Sequence, residues 1–308
     1  MRKLPRILIA ALLVAIVLHT VVAVLLCEGT VHLPHKALTG KMRELAESDA
    51  RESEAKLEDV QVTSFDGARL SAWFFRPNDG NGAAVIVLHG HGDNRAGMEG
   101  FVPMLLSHQY AVLAPDARGH GESGGNLATY GLDESRDLSR WVDWLSTQNY
   151  RGFVYGLGES MGAAILLQAL PNEPRFCATV ADSPFASFRE VAYDRLEKKC
   201  GIGARVGRML LGPLVSEAFL YARLRYGIDL EQDSAANAVA STHVPVLLIH
   251  GTEDFNIPVR HCEAILKNHS GVMEFWQVPG AGHTEAFGSE PEEFERRVTE
   301  WFAKYSQR

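Results

Sequence analysis

From Ile7 to Leu26 every position is apolar except His19 and Thr20, and Arg2, Lys3 and Arg6 precede the run. Twenty residues at ~1.5 Å each reach ~30 Å, the thickness of a bilayer's hydrocarbon core. A globular helix keeps a polar face over such a length, so the run predicts a transmembrane anchor over residues 7–27, after a short tail over 1–6. A cleaved signal peptide is the rival reading. Its apolar region is shorter, and Cys27-Glu28-Gly29 is a poor cleavage site. Cations crowd the N-terminal flank, which predicts a single-pass chain with its body outside the cytoplasm. Residues 28–59 then turn polar and charge-mixed, as expected of a solvated stalk, and truncation after residue 35 should leave the body intact.

Beyond the stalk, short β-rich runs alternate with helical periodicity. Val60–Ser64 and Leu70–Phe75 flank an Asp66-Gly67 turn and predict two strands. Ala84–His89, Tyr110–Pro115, Phe153–Gly156, Ala178–Asp182, Val244–His250 and Met273–Val278 are mostly apolar, as strands covered on both faces are. Leu138, Trp141, Val142 and Leu145 mark one helix by their spacing. Phe294, Val298, Trp301 and Phe302 mark another, after a sequence resembling a capping box at Ser289. Such alternation predicts an α/β architecture on a mostly parallel sheet, with a core over residues 60–186 and 238–308. Residues 187–237 have helical but no strand character. Inserted after one strand of such a sheet, they are placed to cap the carboxyl edge, where sites form.

Composition adds exclusions. The chain is 46% hydrophobic and 22% charged, which rules out disorder, and a net charge of −8 leaves no global field for nucleic acid. Four scattered cysteines form no metal or redox motif. Within the expected cap the balance reverses. Arg189, Arg195, Lys198, Lys199, Arg205, Arg208, Arg223 and Arg225 face only Glu190, Asp194, Glu197 and Glu217. A solvated helix face accounts for this. So does a cap that rests on anionic headgroups.

The sharpest chemistry lies in Gly158-Glu159-Ser160-Met161-Gly162, between a predicted strand and a predicted helix. A serine on a strained strand-to-helix turn needs small residues on both sides, which the two glycines supply. Its hydroxyl also needs a base, and the base a carboxylate. The chain order expected for this turn is serine, acid, histidine, and Asp254 and His283 each follow a predicted strand in that order. An oxyanion requires two backbone N–H donors, for which Met161 and His91 are the candidates, the latter in His89-Gly90-His91-Gly92. The spacing His89-x-His91-x-Asp93 also opens a metal-hydrolase motif, but Asn94 stands where its next histidine ligand belongs.

With these residues, Asp116-Ala117-Arg118-Gly119-His120-Gly121-Glu122-Ser123 and Ala181-Asp182-Ser183-Pro184-Phe185, the chain from Val60 onward resembles an α/β hydrolase. It is most similar to the serine aminopeptidase and monoglyceride-lipase-like branch. That resemblance implies the α/β hydrolase fold, Ser160 as nucleophile, His283 as base, Asp254 as acid, and Arg118 and His120 as architecture. Some relatives carry the acid on the earlier strand, which makes Asp182 the fallback. The expected activity is a membrane-anchored serine hydrolase that cleaves a small or lipid-like ester or amide through an acyl-enzyme, with no cofactor and no metal. A non-catalytic binding protein on the same fold, and a metal-dependent hydrolase using His89 and His91, are the alternatives.

Overall fold

The structure, a computed structural model, describes residues 3–33, 35–150, 153–201, 204–232 and 234–306. Its strands are β1 (Ala55–Thr63), β2 (Arg69–Pro77), β3 (Ala84–Leu88), β4 (Ala111–Pro115), β5 (Val154–Glu159), β6 (Phe176–Asp182), β7 (Val246–Gly251) and β8 (Met273–Val278). They form one 8-stranded sheet in the order β1-β2-β4-β3-β5-β6-β7-β8. β2 runs antiparallel to both its neighbours, and every pairing from β4 to β8 is parallel. β3 and β4 are buried along their whole length, which is why their sequences are continuously apolar.

Successive residues of these strands feed opposite faces of the sheet. Phe74, Ile86 and Leu113 pack on one side with α4 (Glu134–Thr147) and α5 (Met161–Ala169), through Trp141, Leu145 and Leu166. Phe75, Val85 and Val112 face the other side, where α3 (Phe101–Ser107) and α11 (Pro291–Lys304) bring Leu105, Phe294 and Phe302. The remaining helices are α1 (Lys3–Val31), α2 (Gly40–Glu52), α6 (Phe188–Cys200), α7 (Ala204–Tyr226), α8 (Ala235–Ala238), α9 (Arg260–Asn268) and α10 (Ala286–Ser289).

The segment expected as a stalk is docked on the body. α1 continues without a break to Val31, and Ala23, Cys27 and Val31 are buried in the core beside the sheet. Ala46 and Ala50 of α2 are buried in the layer that holds Trp73. β1 starts at Ala55, five residues before the expected strand. As an edge strand it buries no residue fully, so Lys56 and Glu58 read as polar linker although they pair in register with β2. The capping box expected at Ser289 is absent. Ser289 ends α10, and Glu290 stands at the N-cap of α11 without a side-chain bond while Pro291 opens the helix.

The 187–237 insertion holds α6, α7 and α8, with no strand among its described residues. Ser187 caps α6 by accepting from the Glu190 N–H, and Gly201 closes it with φ 64°. α7 runs beside α1 and in the same direction. Glu217 Oε2 meets His19 Nδ1 at 2.6 Å and Glu217 Oε1 accepts from Thr20 Oγ1 at 2.6 Å. Further along, Tyr221 and Tyr226 donate to Glu28 Oε1 at 2.8 and 2.6 Å. The two polar interruptions of the apolar run are thus the two side chains that α7 engages there. Arg2 and the side chain of Arg205 lie outside the described residues.

Candidate active site

Ser160 lies between the end of β5 and the first residue of α5, with φ 50° and ψ −111°. A non-glycine residue held there is strained, and its neighbours show what holds it. A Cβ on Gly158 would stand 2.6 Å from the Gly162 carbonyl carbon, and one on Gly162 would stand 2.3 Å from the Leu88 carbonyl oxygen. Gly158 is therefore needed for α5 to press against β5, and Gly162 for it to press against β3. The Ser160 N–H donates to the Asp182 carbonyl at 2.8 Å, which fixes the turn to β6.

His283 and Asp254 come from the loops after β8 and β7, both at the carboxyl edge of the sheet. His283 Nε2 is 2.9 Å from Ser160 Oγ, and His283 Nδ1 is 2.7 Å from Asp254 Oδ2. The Asp254 side chain is buried, and its Oδ1 accepts from the Asn256 and Ile257 N–H groups at 2.9 and 2.8 Å. Burial alone would raise its pKa. Hydrogen bonds to His250, His283 and the Ile257 N–H overcome this and hold the carboxyl well below its ordinary value. It is therefore an ionised acceptor across the physiological range.

His250 is a partner the sequence reading passed over. It is wholly buried at the end of β7, with Nε2 at 3.2 Å from Asp254 Oδ2 and 2.7 Å from the Ile257 carbonyl. Its position four residues before Asp254 at a strand end was the available signal. Asp182 is not joined to His283. Its Oδ1 accepts from Ser183 Oγ at 2.9 Å, and burial, opposed by that bond, raises its pKa to about 6. Glu159 is also raised, to about 8, by burial and then by the charges of Asp182 and Asp93.

On the other side of Ser160 runs the 89–94 loop. Gly90 lies so close that an added Cβ would be 3.6 Å from the Ser160 Cβ, and His91 follows it. Among the described residues no protein group accepts a hydrogen bond from the His91 N–H or the Met161 N–H. The metal alternative meets an obstacle here. His89 Nε2 accepts from the Ala117 N–H at 3.0 Å, and its Nδ1 is 2.8 Å from the Gly90 carbonyl. Both ring nitrogens are engaged by backbone, and no cluster of three metal-ligating side chains occurs among the described residues. The expected architectural role of Arg118 matches its position. The buried guanidinium contacts Asp137 at 2.8 Å and Asp66 at 2.9 Å, bracing the loop after β4 against α4.

The basic excess of the insertion is partly neutralised. Arg189 pairs with Glu231, Arg208 with Glu190 at 2.5 Å and Arg223 with Asp229 at 3.7 Å. Arg195, Lys198 and Lys199 have no salt bridge among the described residues, and the charge of Arg225 acts on Glu28. Exposed large apolar side chains concentrate on α1, from Ile7 to Leu25, and on α7, at Met209, Leu210, Leu220 and Leu224. Within α1, Arg6–Val31 holds an 18-residue window of mean hydropathy 2.9 and is long and apolar enough to cross a membrane, a test a signal sequence also passes.

The sequence profile of the alpha/beta hydrolase family matches residues 85–297. The uncharacterized protein YqkD of Bacillus subtilis is 28% identical over 246 residues, which span 78% of this chain and 77% of that one. Human monoglyceride lipase is 32% identical over 127 residues, or 40% of this chain and 42% of the lipase. Among solved structures, the Pyrococcus furiosus esterase Pf2001 superposes with a TM-score of 0.69 at 26% identity, covering 90% of this chain and 98% of the esterase.

Proposed function

Because the chain belongs to the alpha/beta hydrolase family, we propose that it is a serine hydrolase in which Ser160, His283 and Asp254 cleave an ester or amide through an acyl-enzyme. The observation that carries the reading is the continuous relay from Ser160 Oγ through the imidazole to a buried, ionised carboxylate, 2.9 and 2.7 Å long at its two links. The esterase likeness of its structural neighbours supports the hydrolase class.

Ser160 Oγ attacks the substrate's carbonyl carbon and its proton passes to His283 Nε2. The carbonyl oxygen becomes an oxyanion between the His91 and Met161 N–H groups. Collapse breaks the bond to the leaving group, which departs as an alcohol or amine with the proton from His283. Water then attacks the acyl-enzyme, giving its proton to His283, and the carboxylic acid leaves as Ser160 regains its hydrogen. Asp254 remains ionised throughout and stabilises the imidazolium. An alcohol in place of water would give acyl transfer through the same groups.

The proposal extends to location. α1 anchors the enzyme, and the cations before the span put the N-terminus inside and the catalytic domain, capped by α6 and α7, outside the cytoplasm. A fluorescent organophosphonate tests the chemistry: the wild type is labelled and Ser160→Ala is not. Failure of the folded wild type to label, or undiminished labelling of the variant, overturns the assignment. Profiling on acyl esters of graded length and on peptides then separates esterase from aminopeptidase activity.

A further inference from the structure

The helix expected only to tether the protein also forms part of a cavity. A cavity of about 320 Å³, near the lower end for small-molecule sites, lies among α1, α6 and α7. On one side it is lined by Leu26, Cys27, Gly29 and Thr30 of α1, and on the other by apolar and aromatic residues of the insertion. His91 also lines it, directly after Gly90, on which an added Cβ would stand 3.6 Å from the Ser160 Cβ.

From His91 an aromatic series leads away from the nucleophile into the insertion. His91 stacks on Tyr130 with ring centroids 6.0 Å apart, Tyr130 on Phe188 at 3.9 Å, and Phe188 on Phe219 at 5.9 Å. The α1 wall is fixed to this series, because Tyr130 OH donates to the Thr30 carbonyl at 2.8 Å and the Ala128 N–H donates to the Val31 carbonyl at 2.9 Å. The charged residues along the cavity, Arg195 and Lys199, are both exposed. The space between the walls therefore suits a flexible apolar group attached to the carbonyl held at Ser160.

We propose that the end of the anchor helix, residues 26–30, is one wall of the acyl-binding pocket, and that the substrate is an ester of a long-chain fatty acid. This rests on Ser160 being the nucleophile. The anchor then contributes to specificity as well as location, since removing α1 would open one side of the pocket to solvent. A peptide offers no single unbranched apolar chain to fill such a slot.

The test uses the full-length protein in vesicles and a dodecyl phosphonate carrying a diazirine at the end of its chain. The phosphonate fixes the probe to Ser160 and light then crosslinks the chain end to what surrounds it. Crosslinks within residues 26–30, found by peptide mass spectrometry, support the proposal. Labelling of Ser160 with crosslinks confined to other segments overturns it while leaving the hydrolase reading intact. Absence of Ser160 labelling overturns that reading and this proposal with it. A second measurement reads the wall directly. An added Cβ at Gly29 meets nothing within 4 Å, so the Gly29→Phe side chain starts into open space beside the cavity. The turnover ratio of laurate to acetate ester should fall at least tenfold in Gly29→Phe, and in Ala192→Phe on the opposite wall. Leu18→Phe, on the exposed surface of α1, should keep the wild-type ratio. A ratio moved by Ala192→Phe alone would place the pocket entirely within the insertion and remove α1 from it.

Discussion

The carboxyl edge of the sheet and the α1–α7 helix pair both join residues far apart in sequence, but by different means. At the sheet edge, short loops at strand ends carry Ser160, Asp254 and His283; backbone hydrogen bonds fix the first two, and the side chains of those two hold His283. Ser160 is pinned to Asp182, Asp254 accepts two amides, and glycines at 158 and 162 allow the contact. In the helix pair, exposed apolar surface surrounds a few polar links, Glu217 with His19 and Thr20 and Glu28 with two tyrosines. A water-soluble core makes the first arrangement stable by itself. The second gains its remaining stability from whatever covers Leu220, Leu224 and the outer face of α1, which under the proposed anchoring is a bilayer.

The largest expected effect breaks the first region chemically. Asp254→Asn should lower kcat by about 10⁴-fold with little change in KM, since the imidazole loses its orienting acceptor. Asp182→Asn should leave most of kcat. Steady-state kinetics decides, and the reverse result would move the acid to β6. Removing residues 1–35 breaks the second region. The structure corrects the expectation that this leaves the body intact, because buried Ala23, Cys27 and Val31 and the Ala128 and Tyr130 hydrogen bonds go with it. Loss of ~2–3 kcal/mol, or roughly 5–10 °C in Tm, is expected from that burial. An unchanged Tm in calorimetry would show the anchor to be a detachable tether.

Two smaller effects sharpen the comparison. Glu159 and Asp182 hold their protons to about pH 8 and about pH 6, above their ordinary values of 4.5 and 3.8. The unfolded chain ionises them earlier, so their contribution is full below the ordinary values and is lost as pH rises through the folded ones. Glu159→Gln removes one such loss, and its Tm advantage over the wild type should grow from pH 5 to pH 9. A constant difference would argue that Glu159 is ionised in the folded protein. Glu217→Gln should cost the helix pair about 1 kcal/mol or less, a Tm drop of roughly 2–4 °C in vesicles. A larger drop would make that link the chief support of α7.

Much of the sheet was readable because a strand buried on both faces must be mostly apolar, and β3, β4 and β7, buried along their whole length, obey that rule. β1 was misplaced at its start because an edge strand shows water its alternate residues. Ser160, Asp254 and His283 were readable because strained turns and strand-end loops restrict residue types locally. His250 escaped notice because a histidine ending an apolar strand reads as a core residue, and its spacing to Asp254 gains meaning only from the 3.2 Å contact between them.

The sequence by itself determined that α1 is long and apolar enough for a membrane, that strands and helices alternate, and that a serine sits between two obligatory glycines. Those are properties of neighbours along the chain, set by period, length and backbone sterics. Only the tertiary structure decided which stripe of α1 faces the body. In a helix apolar on every side, the pattern cannot distinguish Ala23, Cys27 and Val31 from the residues around them. Packing against α7 and the loop holding Ala128 and Tyr130 selects that stripe, and the same packing lines the cavity beside His91 with Leu26, Cys27, Gly29 and Thr30.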